Sequence, residues 1–265
     1  MRRLLFILFL AAVPAHAHEL WIDPTEYQPA LGQPIVAEIF NGENFAGNHL
    51  VYLPRFFDRF EIIAANAQAP VKSRLGNRPA LNQPSLGDGL HIIVFQSRPD
   101  TLNYATFEKF EAFALHKDFS DIKTRHTARG LATERFDEVY TRFSKSLVGV
   151  GGAQGADRRV GLETELVALE NPYTDNTADG VDVQLFYQDA IRANAQIELF
   201  EKAPDGTVNV TLHRTNAQGR ATLPVKPGHT YMADAVVLRE PHARHAKRNA
   251  VWETLWANLT FRIPE

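Results

Sequence analysis

The 265-residue chain contains no cysteine. Without a thiol it can carry no disulfide framework, no thiolate metal site and no cysteine-linked lipid anchor. A basic excess is missing as well, since 28 Lys and Arg stand against 31 Asp and Glu, for a formal charge of -3. A general nucleic-acid binder carries the opposite balance, so that class falls away. Beyond Val13 no segment approaches the roughly twenty apolar residues of a membrane-spanning helix. The chain after that point therefore reads as soluble. The nucleophile elbow GxSxG, the zinc motif HExxH, the phosphate loop GxxxxGK[ST] and a dinucleotide fingerprint are all lacking. "GVGGAQG" is glycine-rich, but it follows a helical pattern and precedes a β-rich region, the wrong setting for a phosphate cradle.

What is present begins with a leader. Arg2 and Arg3, the apolar stretch Leu4 to Val13 and the small residues of Ala15-His16-Ala17 form a secretory signal over residues 1–17. That places the mature protein in the periplasm. Cleavage after Ala17 exposes His18, and cleavage after Ala15 exposes His16. Either cut leaves histidine first.

With 45% hydrophobic residues the chain has enough apolar mass for two modest cores. From Gly161 onward the pattern is almost wholly β, with strands expected at 161–169, 181–187, 195–202, 207–214, 220–225, 230–239 and 254–263. Their spacing and their Gly, Pro, Asn and Asp boundaries point to an immunoglobulin-like β-sandwich over 161–265. "TLHRTNAQGRATLPVKPGHTY" is the clearest local signal, two alternating strands around a polar turn.

The first half is mixed. Extended runs are expected at 19–22, 35–40, 51–53 and 90–96, and helices at 106–117 and 133–145, the latter from Phe136, Val139, Tyr140 and Phe143 at helical spacing. The expected fold class is therefore mainly β: two sandwich-like domains with a helical excursion in the first half. The first domain runs over 18–148, and the glycine-rich segment 149–160 is read as a linker.

The candidate site residues are histidines. An N-terminal His18 can close a chelate ring through its α-amine and imidazole, whose pKa values of about 7.7–8.0 and 6.5 let both bind as neutral donors near neutral pH. Ni(II), Co(II) and Cu(II) favour such nitrogen donors. An earlier cut would leave His16-Ala17-His18, whose amine, amides and imidazole can wrap square-planar Cu(II) or Ni(II). "REPHARHAKRNA" supplies His242 and His245 as further candidate ligands from a loop, though Arg239, Arg244, Lys247 and Arg248 oppose a cation there. His91 reads as a structural residue in a strand, and His116 as a helix-terminal residue complementing the dipole. His49, His126, His213 and His229 read as turn or strand-surface positions. Glu163 and Glu165 share a strand face but lack a base or cleft that would give the pair a role.

"HELWIDP" with "GENFAG", then "YTRFSKSLVGVG" leading to "GLETELVALENPY", and finally "WETLWANLTF" occur in an order and spacing that resemble a known family. It comprises secreted two-domain proteins described as periplasmic components of cobalt and nickel uptake systems, otherwise known only as a domain of unknown function. The resemblance runs from His18 to about Ile263. It implies a protein that binds nickel or cobalt, with copper as an alternative, and passes the ion to an inner-membrane transporter. The N-terminal His18 would be the anchor and His242 a partner. On this reading no reaction is catalysed. Two other readings remain open: a copper enzyme with a brace of two histidines, and an envelope module for structure or carbohydrate binding.

Overall fold

The structure is a computed structural model that describes residues 18–265. The expected signal peptide over 1–17, His16 included, lies outside the described residues. The chain opens with strands β1 (Glu19–Pro24), β2 (Pro34–Glu43), β3 (Ala46–Leu50), β4 (Phe57–Ile63), β5 (Gln68–Pro70), β6 (Leu81–Pro84), β7 (Gly89–Ser97) and β8 (Asp100–Thr106). Helices α1 (Phe107–His116) and α2 (Ile122–Ala128) lead into the long strand β9 (Glu134–Val150). The rest is β10 (Thr164–Ala168), β11 (Val181–Tyr187), β12 (Ala190–Ile191), β13 (Gln196–Lys202), β14 (Val208–Arg214), β15 (Arg220–Leu223), β16 (Thr230–Arg239) and β17 (Trp252–Arg262). A short 3-10 helix, Ala243–Arg248, joins the last two.

The fold is mainly β and sandwich-rich, as its alternating patterns predict. All seven expected C-terminal strands form, two of them, at 181–187 and 230–239, with the expected ends. In the first half the run at 51–53 is not a strand, and β3 lies just before it. The helix expected at 133–145 is overturned: those residues belong to β9.

The reason is burial on both faces. β9 is central in a nine-stranded sheet ordered β14-β13-β16-β17-β9-β7-β4-β5, with β8 also on β9. Phe143 and Leu147 enter one core, while Phe136, Val148 and Val150 enter cores on the other side. A strand apolar on both faces loses the two-residue alternation that betrays a half-buried one. Its apolar positions then fall three and four apart by coincidence.

One face of the large sheet is covered by the small sheet β10-β11-β12 with β15, enclosing the largest core. On the opposite face the sheet β1-β2-β3 with β6 packs over β4, β7 and the end of β9, while α1 and α2 pack over β16 and β17. All three tryptophans, Trp21, Trp252 and Trp256, are buried on this side. Truncating such a side chain typically costs about 3–5 kcal/mol.

The two halves thus share one sheet, joined by the parallel pairing of β9 with β17 from Glu138↔Trp252 to Ser146↔Thr260. Within 149–160, Gly151 N donates to Pro29 O and the buried Asp157 pairs with Lys145. The glycine-rich segment is packed against both halves.

Candidate functional site

His18 is placed by a tight hairpin. β1 pairs with β2 from Glu19↔Gly42, which brings the half-exposed His18 ring beside Glu43, Nε2 to Oε1 3.8 Å. β2 turns into β3 through Asn44 and Phe45, both at positive φ (52° and 57°), as a type I′-like turn requires. Gly42 and Gly47 face one another so closely that a Cβ on Gly42 would lie 2.1 Å from Ala46 O. Left-handed backbone disfavours a residue such as Phe45. Its edge-on contact with Trp21 at 5.8 Å and the Lys202 ammonium 5.3 Å from its ring hold it there. "GENFAG" is therefore the turn that carries Glu43 to His18.

His18 and Asn41 form one lip of a cleft of about 300 Å³. Tyr104 from β8, Trp256 from β17 and Glu138, Tyr140 and Arg142 from β9 line its walls. The last three alternate along β9 and so project from one face.

Glu138 and Arg142 are both almost fully buried. Thr254 Oγ1 donates to Glu138 Oε1 and in turn accepts from Trp256 Nε1 at 3.0 Å. Tyr104 also lies within hydrogen-bonding reach of the buried Glu138 carboxylate. Burial pushes the Glu138 pKa up to about 7, although Thr254, Tyr104 and Arg142 favour its ionised form. The Arg142 guanidinium lies 4.9 Å from the Tyr140 ring and 5.0 Å from the Trp256 ring, and its Nη1 is buried without a hydrogen bond. Asn41 Oδ1 is likewise buried without a hydrogen bond. Buried groups left in this state each cost on the order of 1–3 kcal/mol.

Nearby, Glu19, Glu198 and Asp234 are close enough together to suggest a cation site. Lys117 fills it: its Nζ lies 2.7 Å from Glu198, 3.4 Å from Glu19 and 3.5 Å from Asp234. Burial works against the ammonium, yet the three carboxylates outweigh it and hold the Lys117 pKa above its ordinary value. Burial raises Glu19 and carries Asp234 up to about 7, while hydrogen bonds from His116 and Lys117 overcome burial to keep Glu198 low. The cluster ties β1 at Glu19 to the end of α1, β13 and β16, and so fixes the strand that follows His18.

His242 and His245 lie elsewhere. Along β17, Trp252, Thr254 and Trp256 face the helices, whereas Glu253 and Leu255 face the other way. Arg239 grips Glu253 through two bonds of 2.8 and 2.9 Å, and His242 N also donates to Glu253. His245, buried beside Glu253, accepts from Arg244 Nε at 2.9 Å, and burial lowers its pKa. Together with Thr141, Phe143 and Glu163 it lines a separate cavity. His242 and His245 thus sit on the opposite face of the sheet from His18, and the expected three-histidine grouping does not form. The loop's arginines bind Glu163 and Glu253, giving it a structural reason to be basic.

Other histidines sort by burial. His91 is buried, accepting from Leu86 N and contacting Gly89 O, as a structural residue should. His126, expected at the surface, is buried in α2, where Trp252 Nε1 donates to its Nδ1 at 3.0 Å. His116 ends α1 as expected and adds an ion pair to Glu198 at 3.2 Å. No feature of the sequence marks Lys117, Glu138 or Arg142; the last two become visible as neighbours only once β9 is a strand.

A sandwich-rich β-protein with a polar cleft beside the first described residue is the class these observations define. The chain belongs to the family described as Domain of unknown function (DUF4198), which it matches over residues 15–239. No curated protein matches it. Among solved structures it is similar to a tetra-tandem repeat in the extending region of a large adhesion protein, at 14% identity and a TM-score of 0.22. That alignment covers 92% of this chain and 49% of the other, so the chain spans about half of its relative's length. Superposition at this level does not establish a shared fold.

Proposed function

We propose that the mature protein is a periplasmic carrier of a divalent transition metal, nickel or cobalt with copper as the alternative, and that His18 holds the ion. The observation that carries this reading is the exposed His18 imidazole facing the Glu43 carboxylate across a rigid hairpin. Nitrogen and oxygen donors of this kind suit borderline divalent ions. Cleavage after Ala17 adds an α-amine on the same residue and completes a chelate. The metal is cargo, captured and released by ligand exchange, with an inner-membrane transporter as the recipient. No catalytic step is invoked. A copper brace finds little support, since His242 and His245 lie on the far face of the sheet.

Calorimetry on the processed protein, its first residue fixed by intact mass, tests the reading with Ni(II), Co(II) and Cu(II). His18→Ala should abolish tight binding, and Glu43→Gln should weaken it roughly tenfold to a hundredfold. Binding should also fade as acid protonates the imidazole. Equal affinity in wild type and His18→Ala would overturn it.

A further inference from the structure

Strand β14 ends the large sheet, and its outer edge is open. Among the described residues it pairs only with β13, in an unbroken register from Val208↔Lys202 to Arg214↔Gln196. Thr207 O accepts from Ala203 N and Thr215 N donates to Ala195 O, so the odd-numbered residues between them turn their peptide groups towards β13. The N–H and C=O groups of Val208, Val210, Leu212 and Arg214 therefore point outward, and no hydrogen bond from a described residue reaches them. Asn209 to Leu212 are exposed without interruption, so neither face of the strand's middle is covered. Val210 and Leu212 are 41% and 60% exposed. Natural edges of this length are guarded by lysine, proline or a bulge, and β14 has none of these. The far edge shows the contrast: β5 is short and ends in Pro70.

We propose that β14 pairs antiparallel with β14 of a second copy of this chain, joining the two large sheets about a two-fold axis at Thr211. In that register Val208 stands opposite the partner's Arg214, and Val210 opposite the partner's Leu212. The outward residues then exchange about eight main-chain hydrogen bonds. The exposed Val210 and Leu212 of each copy cover one another. Charge fits as well. The one fixed charge on β14 is Arg214, already paired with Asp118 at 2.7 Å, and the register sets it against valine instead of a second arginine. His213 adds no charge near neutral pH, since burial lowers its pKa, and it stands opposite the partner's Asn209. A two-fold pairing uses the whole edge and closes, which stops further growth. The contact is narrow, so the dimer belongs at the weak, concentration-dependent end of interfaces. None of its contacts uses His18, and metal binding and pairing can fail separately.

Sedimentation velocity of the mature protein from about 1 μM to about 1 mM tests the proposal. Wild type should pass from monomer to dimer and stop there. Val210→Pro removes an outward N–H that β13 does not use, and Leu212→Lys sets an ammonium against the partner's Val210. Each should raise the dissociation constant roughly tenfold or more. A chain without cysteine allows a second measurement that does not depend on the stability of those variants. Thr211→Cys should form an intermolecular disulfide in a glutathione redox buffer, because the two Cα atoms of a non-hydrogen-bonded pair approach to about 4.5 Å. Asn209→Cys, also exposed, should not link to itself, since its two copies stand roughly 13 Å apart along the strands. It should link when mixed with His213→Cys. A wild type monomeric throughout would overturn the proposal and leave the edge to a strand of another protein. Growth beyond two copies would overturn the two-fold register, as would self-linking of Asn209→Cys as readily as Thr211→Cys, or a dimer that Val210→Pro and Leu212→Lys both leave unchanged.

Discussion

Two lysines are buried in this protein, on opposite faces of the same sheet, and they are buried differently. Lys145 reaches Asp157 at 2.8 Å, Glu165 at 3.1 Å and the carbonyls of Arg158 and Leu166 at 3.0 and 3.1 Å. Its carboxylates are themselves saturated, Asp157 accepting from Ala168 N and Glu165 from Val160 N and Leu162 N. Lys117 faces three carboxylates, and Asp234 Oδ2 is left without a hydrogen bond. Close to it lie the unpaired atoms of the cleft. One lysine closes a seam between strands; the other belongs to a polar layer left partly open. Full hydrogen bonding distinguishes the Lys145 cluster from the Lys117 cluster beside the cleft.

The largest effect expected is from Lys145→Met, which strands Asp157 and Glu165 in the core. It should cost about 3–5 kcal/mol in urea denaturation. Lys117→Met should cost less, about 2–4 kcal/mol at pH 8, and less again at pH 5, because Asp234, already raised to about 7, can take up a proton. A loss from Lys117→Met as large as from Lys145→Met and insensitive to pH would erase the distinction.

Glu138→Gln gives a third, smaller measurement. Burial raises the folded pKa of Glu138 from 4.5 to about 7, so between those values the folded state holds more protons than the unfolded one. Its contribution to stability is present below pH 4.5 and is lost as pH rises through 7. The neutral variant should therefore lose less stability between pH 5 and pH 8, by on the order of 2 kcal/mol. Unchanged pH dependence would show the carboxyl to be hydrated. The smallest effect belongs to exposed His242, whose Nδ1 accepts from Arg244 N at the start of the 3-10 helix. His242→Ala should cost less than about 1 kcal/mol and leave metal titrations as in wild type; a weakened metal isotherm would place that loop at the site after all.

How much of this was legible follows from local pattern. The C-terminal strands alternate and are punctuated by turn residues, so their physics is contained in ten residues at a time. α2 buries only Ile122 and His126, one turn apart, too little for a periodic signal. β9 fails for the opposite reason: Glu138 and Arg142 stand four apart, the spacing of a helical ion pair, and only its partner strands decide that they flank Tyr140 on one face. His18 was visible because the expected cleavage site stands directly before it. The Lys117 cluster was not, because residues 19, 117, 198 and 234 meet only through the tertiary fold.

The pairing of β17 with β9 also sets the order in which the protein can be made. Thr260 donates to Ile22 O at 2.7 Å across a separation of 238 residues. The first strand packs on β4, β7 and β9, but its backing is complete only when the last strand arrives. Such long-range closure slows folding and exposes unpaired edges meanwhile. The hairpin bearing His18 is therefore complete only when the far end of the chain has closed over it.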